Sequence, residues 1–412
     1  MSEETTSPAL PDGVVIVGGG QSAAVAARTL RRKKYTGSIT ILGAEAHRPY
    51  QRPPLSKEYL EDPQASVDLL PSDWTETHDV TVRTDVVVER IEEGPVVVTA
   101  DGERLTASAV LIATGGTPRT LGGVTGARIH HLRTRDDADQ LRAALTEASR
   151  LVIIGAGFIG AEIASAARNA GVEVTVLEAA EQPMQRALGV ELGRVCARLQ
   201  QEKGVDLRLS TAVTALREDA DGVIVDTDAG KIRADHAVVA IGIIPSTEVA
   251  ERSGIDCDNG ILVDASGRTS MPGVWAAGDV ANQEHPQADG RIRVEHFDNA
   301  SKQASVAAQS MLGTNVTNSD PHWYWSDQFG VNLQGVGQPH PDDRMVVRGD
   351  LAGEAFTAFF LREGTVAAVF ARNDEESVGI ARELVNMRLE VSESLLTDPD
   401  RDLFEALEGA AT

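Results

Sequence analysis

Val14-Val15-Ile16-Val17-Gly18-Gly19-Gly20-Gln21-Ser22-Ala23 and Leu151-Val152-Ile153-Ile154-Gly155-Ala156-Gly157-Phe158-Ile159-Gly160 decide the fold. Each is an apolar run of strand length that opens into G-x-G-x-x-G/A and then into an Ala-rich helical stretch. That context separates a dinucleotide-binding fingerprint from a chance cluster of glycines. The first two glycines allow a tight turn and a close approach of backbone to a pyrophosphate. The third position, Ala23 in one copy and Gly160 in the other, lets helix and strand pack closely, with the helix N-terminus facing the phosphates. Two such motifs in one chain imply two nucleotides, a resident flavin and the nicotinamide that reduces it.

The organisation around them is an internal echo. Strand 14–17 leads into helix 21–32, strand 38–42 follows, and Ala109-Val110-Leu111-Ile112-Ala113-Thr114-Gly115 reads as a buried strand ending in glycine. Residues 120–243 repeat the scheme, with a strand at 172–177 and a strand-to-glycine ending at Gly242. A further strand ends at Gly278-Asp279. From about residue 322 short strand-like runs (344–348, 356–361, 366–370) precede helical segments. The expected fold is α/β: two Rossmann-like dinucleotide-binding domains, one inserted into the other, plus a C-terminal α+β domain. The expected boundaries are 1–115 with 244–321 for the FAD domain, 116–243 for the NAD domain and 322–412 for the last.

Composition narrows the function. The 412 residues carry 38 basic and 62 acidic side chains, a formal charge of −24, which disfavours nucleic acid and anionic membranes as partners. No apolar run approaches the ~20 residues of a membrane helix. The polar, acidic start (Met1–Pro8) is unlike a signal peptide and reads as a short disordered lead. A cytoplasmic location follows. Cys196 and Cys257 lie far apart in sequence, with no metal-ligand spacing around them. Their positions also argue against a thiol–disulfide reductase, because the first domain offers no cysteine pair to face a flavin. The basic run Arg31–Lys34 complements the dipole at the end of the first helix. The acidic stretch 373–412 reads as a solvated helical face.

An acidic residue about 20 positions past a fingerprint usually meets the ribose hydroxyls. Glu178 holds that place in the second copy, where a carboxylate accepts from the 2′-OH of NADH and repels the 2′-phosphate of NADPH. Arg186 softens this preference only weakly. In the first copy the candidate is Glu45, for the adenosine ribose of FAD.

Six segments in order, Gly18-x-Gly20, Arg52-Pro53-Pro54-Leu55-Ser56-Lys57, Ala113-Thr114-Gly115, Gly155–Gly160 with Glu162, Ala277-Gly278-Asp279 and Trp323-Tyr324-Trp325-Ser326-Asp327-Gln328, carry a resemblance. The chain resembles the FAD-dependent ferredoxin reductases of the putidaredoxin- and rhodocoxin-reductase type, which serve cytochrome P450 and ring-hydroxylating oxygenases. The resemblance places Arg52, Lys57, Val88 and Arg133 around the FAD, with Lys57 near flavin N5 and paired with Glu162. It assigns Asp279 to the ribityl hydroxyls and sets the helix opening at Phe297 against the flavin pyrimidine edge. Trp325 takes the electron-exit side. It implies an NADH:ferredoxin oxidoreductase that reduces a [2Fe–2S] ferredoxin and, through it, an oxygenase. For the ferredoxin, Lys302, Arg344, Arg348 and Arg372 are the candidate docking cations. The alternative is a redox-controlled, flavin-carrying binding protein resembling apoptosis-inducing factor, although targeting segments and long C-terminal insertions are not evident here.

Overall fold

The computed structural model describes residues 11–286, 288 and 290–408. The acidic lead and the last four residues of the C-terminal stretch lie outside them. The described residues group into two compact units, one within 1–51, 66–117 and 244–320, the other within 52–65, 118–243 and 321–412.

In the first unit the fingerprint strand Gly13–Val17 is the middle of a five-stranded parallel sheet. Ser38–Leu42 and then Val80–Arg83 lie on one side, Ala109–Ile112 and then Val274–Ala276 on the other. Alternation sorts the side chains. Val14 and Ile16 join Ala23, Ala27 and Leu30 of the fingerprint helix in one apolar cluster, while Val15 and Val17 join Val110 and Ile112 in another. A strand covered on both faces reads as an unbroken apolar run, which is how this one appears in the sequence. The helix Gln21–Arg32 ends on Arg31 and Arg32. Arg31 also donates to the carbonyls of Tyr35, Gly37, His78 and Asp79, so the basic run acts as a tie for the following loops.

The second unit repeats this plan. Arg150–Ile154 is central and parallel to Glu173–Leu177 on one side and His236–Val239 on the other, with Asp206–Arg208 and Ile129–His130 at the edges. The helix Phe158–Asn169 follows the fingerprint turn. Residues 323–372 form a five-stranded antiparallel sheet. Its order is Trp323–Gln328, Val331–Gly337, Thr365–Arg372, Phe356–Arg362, Arg344–Gly349. The first two of these strands were not expected from the sequence. Phe356, Phe360 and Phe370 of this sheet share one buried cluster with Leu151, Ile153 and Ala161, and Leu60 enters the same cluster. That shared core explains why the second nucleotide fold, the C-terminal sheet and residues 52–65 form one unit. The acidic end is more than a solvated face. Glu375–Met387 is an amphipathic helix that buries Val378, Ala381, Leu384 and Val385 against the sheet.

Candidate active site

Both fingerprint turns are built alike. Gly18 has φ +120°, its N–H donates to the Leu42 carbonyl at 2.8 Å, and a Cβ there would meet the Ala113 carbonyl oxygen at 2.2 Å. Gly155 has φ +104°, donates to Leu177 at 2.8 Å, and a Cβ there would meet the Ala240 carbonyl oxygen at 2.4 Å. No other residue fits either place. A Cβ at Gly20 or Gly157, by contrast, would meet nothing within 4 Å. These two glycines are the N-caps of their helices. Neither helix has a side-chain cap or an acidic residue in its first turn. Each N-terminus therefore presents N–H groups and the positive end of a dipole to open space, which is what a pyrophosphate requires. Phe158 and Ile159 open the second helix, the latter 44% exposed. Phe158 leans on Tyr324, with ring centroids 5.3 Å apart.

Glu178 follows the strand Glu173–Leu177 and curls over its own turn. One carboxylate oxygen accepts from the Ala156 N–H and the other from the Ala180 N–H, both at 2.8 Å. The acidic group is thereby locked at the lip of the second fingerprint. Arg186 stands exposed in the next helix, Gln185–Glu202. Glu45 holds the corresponding bend of the first unit and accepts from the Tyr50 hydroxyl.

Other residues of the first unit gather around the ends of its strands. Thr114 Oγ donates to the Ser246 carbonyl at 2.7 Å, and Gly115 (φ +67°) accepts from the Ser246 N–H. Gly278 (φ +86°) lies so close to the fingerprint helix that a Cβ would meet Ser22 Oγ at 2.6 Å. Its N–H is held by Gln303 Oε1 at 2.8 Å, which orients the turn that presents Asp279. Gln303 comes from the helix Phe297–Met311, whose N-cap His296 makes no side-chain cap. Burial pushes the His296 imidazole down to about 4, against the pull of the Asp279 and Asp298 carboxylates. Val88 starts a strand with its side chain packed in the core, so only its backbone is available to a ligand.

In the second unit Arg52 Nη1 donates to the Arg133 carbonyl, and Gly242 (φ +95°) accepts from the Arg119 N–H. Lys57 and Glu162, 105 positions apart, form an ion pair of 3.0 Å with Glu162 only 3% exposed. The Lys57 ammonium also lies over the Trp325 ring, 5.9 Å from its centroid, and Trp325 stacks on Trp323 at 5.0 Å. Lys57 and Glu162 pair, and the Trp325 ring joins them beside the ammonium. Ser56, Ser326 and Gln328, which join the same cluster, were missed, although the first two sit beside Lys57 and Trp325 in the motifs that carried the resemblance.

The pyridine nucleotide-disulphide oxidoreductase model matches residues 12–309, and the reductase C-terminal model matches residues 323–407. The chain belongs to this oxidoreductase family. Across 395 residues it is 38% identical to the ferredoxin–NAD(+) reductase component of the anthranilate 1,2-dioxygenase system of Burkholderia cepacia, covering 94% of this chain and 97% of that one. To rhodocoxin reductase of Rhodococcus erythropolis it is 36% identical over 402 residues, covering 96% and 94%. It superposes on the reductase of the covalent putidaredoxin reductase–putidaredoxin complex with a TM-score of 0.93, at 33% identity, covering 97% and 99%. Ferredoxin reductases of this family use FAD and NADH, and the two open fingerprints fit two dinucleotides. Both cysteines are free, and burial pushes the Cys196 thiol up to about 12 and the Cys257 thiol to about 11.

The expected docking cations are mostly committed elsewhere. Arg348 donates to the carbonyls of Leu395, Asp398, Pro399 and Arg401 and so fastens the C-terminal segment. Lys302 sits between Asp298 and Asp320 at 2.8 and 3.2 Å. Arg344 pairs with Glu393 but stays 69% exposed. Among the described residues no group of three or more potential ligands could hold a metal ion, and no helix is long and apolar enough to cross a membrane.

Proposed function

We propose that this protein is the NADH-dependent reductase of a [2Fe–2S] ferredoxin that supplies a cytochrome P450 or a ring-hydroxylating oxygenase. The observation that carries the reading is the pair of uncapped fingerprint helices, one with Glu178 locked at its lip, in a chain similar over 94% of its length to a ferredoxin–NAD(+) reductase component. FAD, when bound, would supply two-electron acceptance from NADH and one-electron release, so that NADH and two oxidised ferredoxins would give NAD⁺, two reduced ferredoxins and one proton.

The chain's own residues bind, orient and set charge. The first fingerprint with Glu45, Ala113–Gly115, Gly278 and Asp279 holds FAD, and the second with Glu178 holds NADH. A carboxylate at 178 has no cation to offer a 2′-phosphate, which favours NADH. Lys57, fixed by Glu162, would supply a positive charge to bound FAD, on which negative charge develops on reduction. Trp325 stands on the electron-exit side. The work belongs in the cytoplasm, where NADH is available and free thiols persist.

Anaerobic titration of the yellow protein with NADH, followed by cytochrome c reduction with and without a [2Fe–2S] ferredoxin, tests the reading. Bleaching by one equivalent of NADH and ferredoxin-dependent turnover are expected. Bleaching without any ferredoxin dependence would instead favour a redox-controlled binding protein. Trp325→Ala should slow ferredoxin reduction more than it weakens FAD binding, and unchanged ferredoxin reduction would reduce that tryptophan to packing.

A further inference from the structure

Glu162 faces inward from the second fingerprint helix and is the meeting point of three donors. These are Lys57 Nζ at 3.0 Å and the hydroxyls of Ser56 and Ser326. Ser56, Glu162, Ser326 and Gln328 are all at most 3% exposed, so water does not compete for these bonds. A carboxylate can only accept, and each hydroxyl has one proton to give. Ser326 therefore spends its proton on Glu162 and must receive from elsewhere. It receives from Gln328 Nε2 at 2.9 Å. The polarity of the chain runs one way, from amide to hydroxyl to carboxylate, and such chains strengthen in a dry interior. It also fixes the Gln328 amide with its Oε1 buried and, among the described residues, unbonded. An acceptor is left unsatisfied so that a donor can back Ser326.

Two dipeptides share this work. Ser56-Lys57 offers a hydroxyl to Glu162 and the ammonium beside it. Trp325-Ser326, alternating along its strand, offers a ring to Lys57 from one face and a hydroxyl to Glu162 from the other. The ion pair is gripped at both ends, and neither partner can turn without breaking a buried hydrogen bond.

We infer that Ser326, backed by Gln328 and matched by Ser56, is a positioning residue that holds the Glu162 carboxylate in the one orientation that keeps Lys57 aimed over Trp325, and thereby sets the rate of hydride acceptance from NADH. This rests on the proposed role of the Lys57–Glu162 pair in that step. Loss of the hydroxyl leaves the carboxylate a free rotation and the ammonium a second resting place, so charge near the flavin is less well placed when the hydride arrives.

The test is stopped-flow reduction of the FAD-loaded enzyme by NADH, together with the midpoint potential of its bound flavin. Ser326→Ala should lower the limiting reduction rate about tenfold, with the NADH concentration for half-maximal rate changed by less than about twofold. It should also lower the flavin potential, a readout independent of turnover. Ser326→Thr, which restores the hydroxyl, should recover both. In a Glu162→Gln background, Ser326→Ala should add almost nothing, because its effect passes through the carboxylate. Wild-type rate and potential in Ser326→Ala, or an equal loss in both backgrounds, would overturn the inference while leaving the ion pair's role intact. A wild-type rate in Glu162→Gln would instead overturn that role, and the inference with it. If Ser326→Ala retains too little flavin, Ser326→Cys, small but a weak donor, makes the same comparison.

Discussion

Gly160 lies so close to Gly155 that a Cβ on the former would meet the carbonyl oxygen of the latter at 2.1 Å. The matching residue of the first fingerprint is Ala23, fully buried and accommodated. Two copies of one motif therefore differ in how tightly helix and turn approach. Gly160→Ala should destabilise the protein by about 1–3 kcal/mol, as overpacking does, and weaken NADH binding. Ala23→Gly should cost only about 1 kcal/mol, the helix propensity difference. Thermal melts with NADH titrations check both, and unchanged stability in the Gly160→Ala enzyme would show that the turn can open.

Glu178 holds its own turn with both carboxylate oxygens at the lip of the second fingerprint. Glu178→Ser releases the Ala156 and Ala180 N–H groups and removes the repulsion toward a 2′-phosphate. The ratio of kcat/KM for NADH over NADPH should fall at least about tenfold, or about 1.4 kcal/mol. Adding an arginine beside it should carry the preference further. Wild-type enzyme that used both nucleotides equally would contradict the assignment.

Arg348 and Arg344 should separate in behaviour although the sequence marks both as candidate docking cations. Arg348→Ala removes the donor to four carbonyls, two of them at 3.3 Å, and should lower stability by roughly 2 kcal/mol or more. Arg344→Glu breaks an exposed pair and should change stability by about 0–1 kcal/mol. Chemical denaturation of both variants decides this. A stable Arg348→Ala enzyme with a raised ferredoxin KM would restore the docking role.

Acid should weaken the fold through His130. Burial, and then the neighbouring His236 ring, push its imidazole down to about 4 from the ordinary 6.5, and His130 Nε2 lies 2.9 Å from His236 Nδ1. Between those values the unfolded chain takes up a proton that the folded chain refuses, so stability is lost as pH falls from about 6.5 toward 4. His130→Gln should flatten the dependence of Tm on pH in that window. An unchanged slope would assign it to other groups.

The fingerprints were legible because strand, positive-φ glycine and helix follow one another in sequence, and each residue's demand is local. Helix 21–32 and strand 38–42 stand where periodicity put them, and Glu178 reaches its turn because a parallel neighbour strand has to end beside it. The C-terminal strand Trp323–Gln328 was harder to see. It mixes two tryptophans with Ser, Asp and Gln, and its polar members Ser326 and Gln328 are buried because their partners wait on the second fingerprint helix and before the next. No periodicity marks a polar residue that will be satisfied from 164 positions away.

By itself the sequence determined two nucleotide turns, the helices that open from them and the acidic residue at the second, since backbone sterics and hydrophobic alternation act over a few residues. Only the tertiary structure decided which polar side chains share the buried cluster around Glu162 and which arginines are spent on carbonyls. Those outcomes depend on which donors and acceptors long-range packing removes from water together, and a buried polar group takes whatever partner the fold brings within reach.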